Sequence, residues 1–166
     1  MPSTPAPRLC QNFGLAWLLL CLAFCCHVAD EALTGFLAVY NPTVLAMRGQ
    51  YPWFPMPTFG FREWLVGLIF ANVLLLALTP LAYRNARWIR PLAYFFAAIM
   101  FLNGLGHTFF TILGHTVASV QFPRPAPGFY SSPLLLAASV YLFLRLRATR
   151  THKSASDHHP AMQPAQ

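Results

Sequence analysis

Two short groups of polar residues interrupt otherwise apolar runs in this sequence. His27, Asp30 and Glu31 are spaced i, i+3, i+4 in the first run, and Asn103 and His107 are spaced i, i+4 in a later one. On an α-helix, each spacing puts the side chains on one face. Because an ionisable group in apolar surroundings is costly unless it faces a partner or water, both groups are candidate functional sites.

The residue types in these groups are typical of metal centres. Imidazole and carboxylate ligands together suit zinc, manganese or iron. The candidate metal ligands are His27, Glu31, His107 and a later histidine, His115. Asp30 and Asn103 would support them, either on the metal or by orienting its ligands. A bound divalent metal would neutralise the carboxylates and activate water for attack on a lipid-soluble substrate, as in a metal-assisted hydrolase.

The same side chains could also work without a metal. Glu31 or Asp30 would then act with a histidine such as His107 as base and acid, in proton-transfer chemistry on a lipid. The catalytic candidates are therefore Glu31, Asp30 and His107. The residue pattern does not choose between the two versions, and it identifies neither the substrate nor the metal.

The composition indicates that these residues belong to a membrane protein. Hydrophobic residues make up 57% of the chain and charged residues 9%, with a mean hydropathy of +0.50, whereas soluble domains carry roughly a quarter charged residues. The apolar residues are gathered into runs near the ~20 residues that a helical span needs. Such runs favour helices over the alternating strands of a barrel. The predicted fold class is all-α, an integral membrane bundle of about four transmembrane helices.

Four apolar runs are the predicted spans. They cover residues 13–40, 63–83, 91–116 and 129–146. The stretch between the first two spans is rich in proline and aromatic residues, which predicts an interfacial loop because proline cannot continue a helix. Residues 1–12 are predicted to form a polar N-terminal tail, and residues 147–166 a disordered cytoplasmic tail.

The first run could also be read as a secretory signal peptide, since Arg8 precedes an apolar stretch at residues 13–26. However, bulky Phe24 next to Cys25 makes a poor cleavage site, and the apolar run resumes after Glu31. The first run is therefore predicted to remain in the protein as a span.

The charge distribution indicates orientation in the membrane. The net charge is +7, but the basic residues sit at the ends of apolar runs, which favours a lipid bilayer and no nucleic acid as the partner. With four spans, eight of the eleven Lys and Arg residues fall on the side of the two termini and three on the other. The positive-inside rule then predicts an inner-membrane protein with both termini in the cytoplasm.

A comparison of depth links the two polar groups. Counted from the cytoplasmic starts of their spans, residues 27–31 and 103–107 both lie roughly 18–27 Å into the bilayer at ~1.5 Å per residue. Both spans run in the same direction, so the groups should meet at one level in the outer half of the membrane. The nearby glycines should let a neighbouring helix approach closely. They are Gly104, Gly106 and Gly114.

Taken in order, these motifs resemble the HXXEE domain family of small bacterial membrane proteins. The resemblance rests on His27 to Glu31, on Asn103 to His107, and on His115 followed by Pro127-Gly128, and it covers residues 13–145. It implies a membrane protein whose polar motifs suggest an enzyme, and it implies no particular reaction. Asp30 stands where the family has Glu, which keeps the charge but shortens the side chain by one methylene.

Two other classes of function use the same residues. A transporter or proton relay also needs buried histidines and carboxylates, although four spans without an internal repeat would need a homodimer to supply a missing half. In a structural or accessory subunit, the polar groups would only hydrogen-bond within and between helices. Glu63, at the outer end of the second span, is predicted to be a surface charge.

Overall fold

Apolar helices make up most of the protein. The computed structural model describes the backbone of residues 7–156 and the side chains of residues 13–148. In this part of the chain the elements are α1 (Pro7–Thr34), α2 (Leu37–Gln50), α3 (Phe61–Ala77), α4 (Thr79–Tyr83), α5 (Ile89–Leu113), β1 (His115–Val117), β2 (Val120–Gln121) and α6 (Ser132–Ser156). The predicted helical class is confirmed. The ends of the two predicted tails, residues 1–6 and 157–166, lie outside the described residues.

Three helical stretches are long and apolar enough to cross a membrane. They are Phe13–Thr34, Phe61–Tyr83 and Ile89–Leu113. They correspond to the first three predicted spans, whereas the fourth predicted span, residues 129–146, is not among them. The second stretch combines α3 and α4, which are separated at Leu78 because Pro80 cannot donate the next helical hydrogen bond.

Helix α1 forms the centre of the fold. It packs against α3, α4 and α6, and Trp17, Leu20 and Cys21 on it are completely buried. The indole Nε1 of Trp17 donates a hydrogen bond of 3.0 Å to the carbonyl of Leu75, so this large side chain leaves no polar atom unpaired in the core. Helix α1 is therefore fixed on several sides, which makes it a rigid support for the polar residues near its end.

Gly35 ends α1 and divides the first predicted span. Its φ of +76° is left-handed, and the amide of Phe36 donates to the carbonyl of Glu31 at 3.0 Å. This is the long closing bond of a Schellman cap, which glycine permits at no steric cost. The sequence predicted one continuous span over residues 13–40, whereas the observed helix stops at Thr34 and the chain turns into α2.

Helix α2 occupies much of the stretch that was predicted as a loop. It continues to Gln50 with Pro42 inside it, and residues 51–60 form the non-helical link to α3. Proline is tolerated here because the carbonyl that it leaves unpaired, that of Ala38, belongs to an exposed residue. The link is fixed by Asn41, whose amide exchanges hydrogen bonds of 2.9 and 3.1 Å with the backbone of Phe59.

Helix α6 packs along α1 and α5. Leu135 and Leu142 on it are completely buried, and buried Ser139 satisfies its hydroxyl by donating to the carbonyl of Leu135 at 2.7 Å. The helix runs to Ser156, ten residues beyond the end predicted at residue 146. Much of the stretch predicted as a disordered tail is therefore helical in the described chain.

The three glycines beside the polar residues of α5 have different roles. At Gly104, an added Cβ would lie 3.0 Å from Leu136 Cγ and 3.2 Å from the Ser132 carbonyl, so α6 does approach closely there. At Gly106, the added atom would meet only the Phe110 ring at 3.9 Å, so this glycine borders open space. Gly114 has a φ of +77° and ends α5, after which β1 and β2 form a short antiparallel pair.

Candidate functional site

The two polar groups meet between α1 and α5. Glu31 Oε1 lies 3.0 Å from His107 Nε2 and 3.5 Å from His27 Nε2. Asn103 Nδ2 lies 3.2 Å from His27 Nε2, and the two imidazole rings are 4.9 Å apart at 69°. The prediction that the polar faces of two spans converge at one level is confirmed by these contacts.

Apolar surroundings bury most of this centre. His27, Glu31 and His107 are 0%, 4% and 7% exposed. Phe36 packs against His107 with its ring centroid 5.7 Å away, and Trp64 lies behind Phe36 at 5.8 Å. A carboxylate with so little water around it must be stabilised by hydrogen-bond donors or by a cation. Glu31 therefore depends on the two imidazoles, or on a cation held with them.

The three buried side chains could hold a metal ion. Their ligand atoms, one nitrogen of each imidazole and one carboxylate oxygen, all lie within 4.8 Å of one another. Zinc bonds of about 2.0–2.2 Å at tetrahedral angles put neighbouring ligand atoms roughly 3.3–3.6 Å apart. The observed separations from Glu31 of 3.0 and 3.5 Å are close to that spacing. Three protein ligands also leave a coordination position open, which is typical of catalytic metal sites.

Ser131 fixes the orientation of His27. The serine Oγ lies 2.7 Å from His27 Nδ1 and 2.8 Å from Asp30 Oδ2. Because the hydroxyl has one proton and Asp30 can only accept it, the bond to His27 is donated by the imidazole Nδ1–H. Neutral His27 then carries its lone pair on Nε2, the nitrogen that faces Glu31. This is the tautomer that a metal ligand at Nε2 needs.

Asp30 supports the centre from outside it. Its Oδ2 accepts hydrogen bonds of 2.8 Å from both the amide and the hydroxyl of Ser131, immediately before α6. A carboxylate is favourable at this position because the first amides of a helix lack partners and carry partial positive charge. Asp30 is linked to His27 by two hydrogen bonds through Ser131, and its predicted catalytic role stays a prediction.

Gly128 covers the centre. Its φ is +82°, and an added Cβ would lie 2.8 Å from His107 Cε1 and 3.1 Å from Glu31 Cγ. The Gly128 amide donates to Thr34 Oγ1 at 3.1 Å, and its carbonyl accepts from Ser132 Oγ at 2.8 Å. Both the backbone conformation and the space therefore require glycine, which gives the Pro-Gly motif of the sequence a physical role.

Two other candidates lie away from the cluster. The left-handed cap at Gly114 ends α5, so His115 leaves the helix and begins β1. His115 is not among the grouped ligand atoms, and its buried Nδ1 has no hydrogen-bond partner in the described part of the chain. Glu63 is exposed and accepts a hydrogen bond of 3.2 Å from the amide of Gly60 at the start of α3, so its predicted surface position is confirmed.

The sequence analysis did not identify Ser131 or Thr34. Ser131 and Ser132 ahead of Pro133 form an ordinary helix-start pattern, which gives no sign of a partner on another helix. Thr34 shows no local signal, and its role depends on the turn at Gly35. The nearest signal in the sequence for Ser131 was its position three residues after the Pro127-Gly128 motif.

A cavity of about 440 Å³ adjoins the centre. Its wall includes Asn103 and His107 from the centre, and most of the rest is apolar. The other lining residues are Phe36, Val39, Tyr40, Thr43, Met47, Leu102, Gly106, Phe110, Thr116, Val117, Phe122, Ala126 and Pro127. Burial raises the pKa of Tyr40 more than the nearby Arg48 lowers it, so the neutral hydroxyl donates to the Pro57 carbonyl at 2.9 Å.

Comparison of the chain with protein-family models, with curated proteins and with solved structures finds no match in any of the three. The resemblance to the HXXEE family therefore rests on the motifs in the sequence. The geometry by itself supports a narrower statement. The described residues include three candidate membrane spans and a buried group, His27, Glu31 and His107, that could hold a metal.

Proposed function

We propose that this protein is a multi-pass membrane enzyme that binds a divalent metal, such as zinc, manganese or iron, and hydrolyses a lipid-soluble substrate. The observation that carries the proposal is the convergence of two imidazole nitrogens and one carboxylate oxygen within 4.8 Å, from two different helices, in a buried site. Three protein ligands would leave room for water and substrate. The cavity beside His107 would admit that substrate.

Each residue of the centre would have a distinct task. When bound, a divalent metal would polarise the substrate carbonyl or phosphoryl oxygen and lower the pKa of water, so that hydroxide would be available as a nucleophile at neutral pH. Glu31 would balance the positive charge. Ser131 would keep Nε2 of His27 unprotonated, so that its lone pair could bind the metal in place of the Asn103 amide. Asn103 would donate from its amide to the oxygen on which negative charge develops. The aromatic wall would keep bulk water out and so strengthen these interactions.

The membrane arrangement is part of the same proposal. Helix α6 would be the fourth span, because it packs along α1 and α5 and buries leucines against them. With four spans, the positive-inside rule puts both termini in the cytoplasm. Glu31 lies three residues before the end of α1, so the centre would be near the outer membrane surface, within reach of water. The motifs shared with the HXXEE family agree with this arrangement.

A proton relay is the second candidate function. Hydrogen bonds connect Asp30 to Ser131, Ser131 to His27 and Glu31 to His107, and the gap between His27 and Glu31 is 3.5 Å. This series runs from a half-exposed carboxylate to the wall of a cavity without any metal. It would allow proton transfer either for acid-base chemistry on a lipid or as part of a transport path.

Metal titration of the purified protein tests the proposal. The full chain in detergent is stripped with a chelator and titrated with zinc, manganese and anaerobic iron(II), and bound metal is measured by elemental analysis. We expect one metal per chain, lost in His27→Ala, Glu31→Gln and His107→Ala. The matched control is His115→Ala, which removes a histidine outside the cluster and should keep the metal.

Circular dichroism and thermal unfolding of the same samples separate the alternatives. Folded protein that binds none of the metals would contradict the metal proposal and favour the proton relay. Equal metal loss in His115→Ala would also contradict it. If the three variants unfold while the parent chain binds no metal, the polar centre would instead be structural.

A further inference from the structure

The wall of the cavity beside the centre follows two helices. Its α2 wall runs from Phe36 to Met47, and its α5 wall runs from Leu102 to Phe110. At ~1.5 Å per residue, the α2 wall is about 16 Å long. A volume of about 440 Å³ beside a wall of this length leaves room for one hydrocarbon chain.

The side of the cavity formed by α5 reaches the outer surface of a candidate span. Leu102 contributes to the wall and is 64% exposed. It belongs to Ile89–Leu113, whose exposed face would contact lipid acyl chains in a membrane. A hydrophobic ligand could therefore pass from the bilayer into the cavity sideways, without crossing water.

The polar groups of the cavity wall that remain for a ligand are those of Asn103 and His107, since the hydroxyl of Thr116 is paired with that of Thr43. The hydroxyl groups of Tyr40 and Thr43 already donate to backbone carbonyls, those of Pro57 and Val39. Asn103 uses one amide hydrogen toward His27, and its Oδ1 makes no hydrogen bond within the described chain. One amide hydrogen and one carbonyl oxygen of Asn103 thus remain for a ligand, next to the proposed metal ligands.

We infer that this cavity binds a single acyl chain, and that the substrate class is a single-chain acyl amphiphile whose carbonyl group lies at Asn103 and His107. The assignment of this ligand as a substrate rests on the proposed function, whereas its binding does not. The apolar wall accepts the chain, and the amide of Asn103 binds the carbonyl end. The volume of about 440 Å³ is within the usual range for small-molecule pockets, about 300–1,000 Å³.

Photolabelling in a defined bilayer tests this inference. The full chain is reconstituted in phosphatidylcholine nanodiscs with a palmitate analogue that carries a diazirine near its methyl end, and crosslinks are located by peptide mass spectrometry. We expect labels at Met47, Thr43 and Thr116, the part of the cavity wall that lies farthest along α2 from Phe36 and His107. The same diazirine chain on a two-chain phosphatidylcholine should label only outward residues such as Val66 and Phe70.

Two glycine substitutions provide a matched pair. Gly106→Leu adds a side chain into open space at the cavity wall, and Gly67→Leu adds the same side chain on the exposed face of α3, where nothing lies within 4 Å. Gly106→Leu should lower cavity labelling by about tenfold, since it displaces roughly two methylene groups of the ligand. Gly67→Leu should leave it unchanged. Val39→Phe, which narrows the opposite wall, provides a second blocking variant.

Three results would overturn the inference. They are palmitate labels confined to lipid-facing residues, equal labelling of the cavity by the two-chain probe, and cavity labelling that survives both Gly106→Leu and Val39→Phe in folded protein. Labelling of Glu31→Gln separates this inference from the proposed function. Cavity labels that persist in a variant that binds no metal support the acyl site alone, whereas metal binding without cavity labels leaves only the metal proposal.

Discussion

The carboxylate of Glu31 and the imidazole of His107 are 3.0 Å apart although 76 residues separate them in sequence, and both are buried. Glu31 is in the last turn of α1, where the carbonyl end of the helix carries partial negative charge. A carboxylate is unfavourable there unless a cation or strong donors oppose it. The position of Glu31 therefore favours a centre that carries positive charge, from a metal or from protonated imidazole.

Removal of the Ser131 hydroxyl should weaken metal binding without unfolding the protein. Ser131→Ala takes away the acceptor that holds His27 Nδ1–H at 2.7 Å, and loss of such a supporting hydrogen bond typically costs 10–100-fold in metal affinity. Ser139→Ala is the control, because that hydroxyl bonds only within α6. Competitive titration with a chromophoric chelator measures both. Equal affinities in the two variants would contradict the role of Ser131.

Substitution of Gly128 should damage the centre more than substitution of another left-handed glycine. The Cβ added in Gly35→Ala meets nothing within 4 Å. This variant should lower the free energy of unfolding only by the cost of the left-handed backbone conformation, about 1–2 kcal/mol. Gly128→Ala has a similar cost for the left-handed backbone. Its Cβ also crowds His107 and Glu31, which should lower the free energy of unfolding by a further amount of about 1–3 kcal/mol. Unfolding in detergent should show this difference, with metal lost only from Gly128→Ala. Metal binding that is equal in both would refute the contact argument.

Alanine at two glycines of α5 should have opposite effects on stability. Gly104→Ala pushes against Leu136 and the Ser132 carbonyl and should lower the free energy of unfolding by about 1–2 kcal/mol. Gly106→Ala enters open space and removes a flexible residue from a helix, so it should raise stability by about 0.5–1 kcal/mol. Equilibrium unfolding of both variants provides the measurement. A loss in Gly106→Ala as large as that in Gly104→Ala would show that the packing is different.

Metal occupancy should fall as the pH is lowered. Binding requires neutral imidazoles at His27 and His107 and an ionised carboxylate at Glu31, so protons compete with the metal for every ligand atom. The metal affinity should therefore increase as the pH rises through the range where these groups lose protons, and metal binding should release protons. Calorimetry in buffers of different ionisation enthalpy measures the released protons. Occupancy that is constant from pH 8 to pH 5 would argue against this ligand set.

Much of the helical architecture could be predicted because it depends on local composition. The runs of apolar residues indicated helices, and three of them are observed as candidate spans. The break at Gly35 and the helix after it were not predicted, since one glycine in a left-handed cap outweighed the apolar run around it. Pro42 was read as a helix breaker, but it is tolerated where its unpaired carbonyl lies on an exposed face.

The candidate site was predictable in part, because periodicity and depth follow from the geometry of a helix. The rise of 1.5 Å per residue put His27 and His107 at one level before any contact was known. The position of His115 could not be predicted in this way, because it depends on the cap that ends α5 at Leu113. Ser131 could not be found at all, and Gly128 was noted only as part of the Pro-Gly motif, since the roles of both residues arise from contacts with α1 and α5.

The sequence by itself determined that this chain needs an apolar solvent and that it carries two polar helix faces at matching heights. Those properties follow from residue type and helical period, which are local. Only the tertiary structure decided that the faces turn toward each other, that Ser131 selects the tautomer of His27, and that a largely apolar cavity lies beside His107. The rotation of each helix about its axis depends on packing against all its neighbours, and no local pattern encodes it.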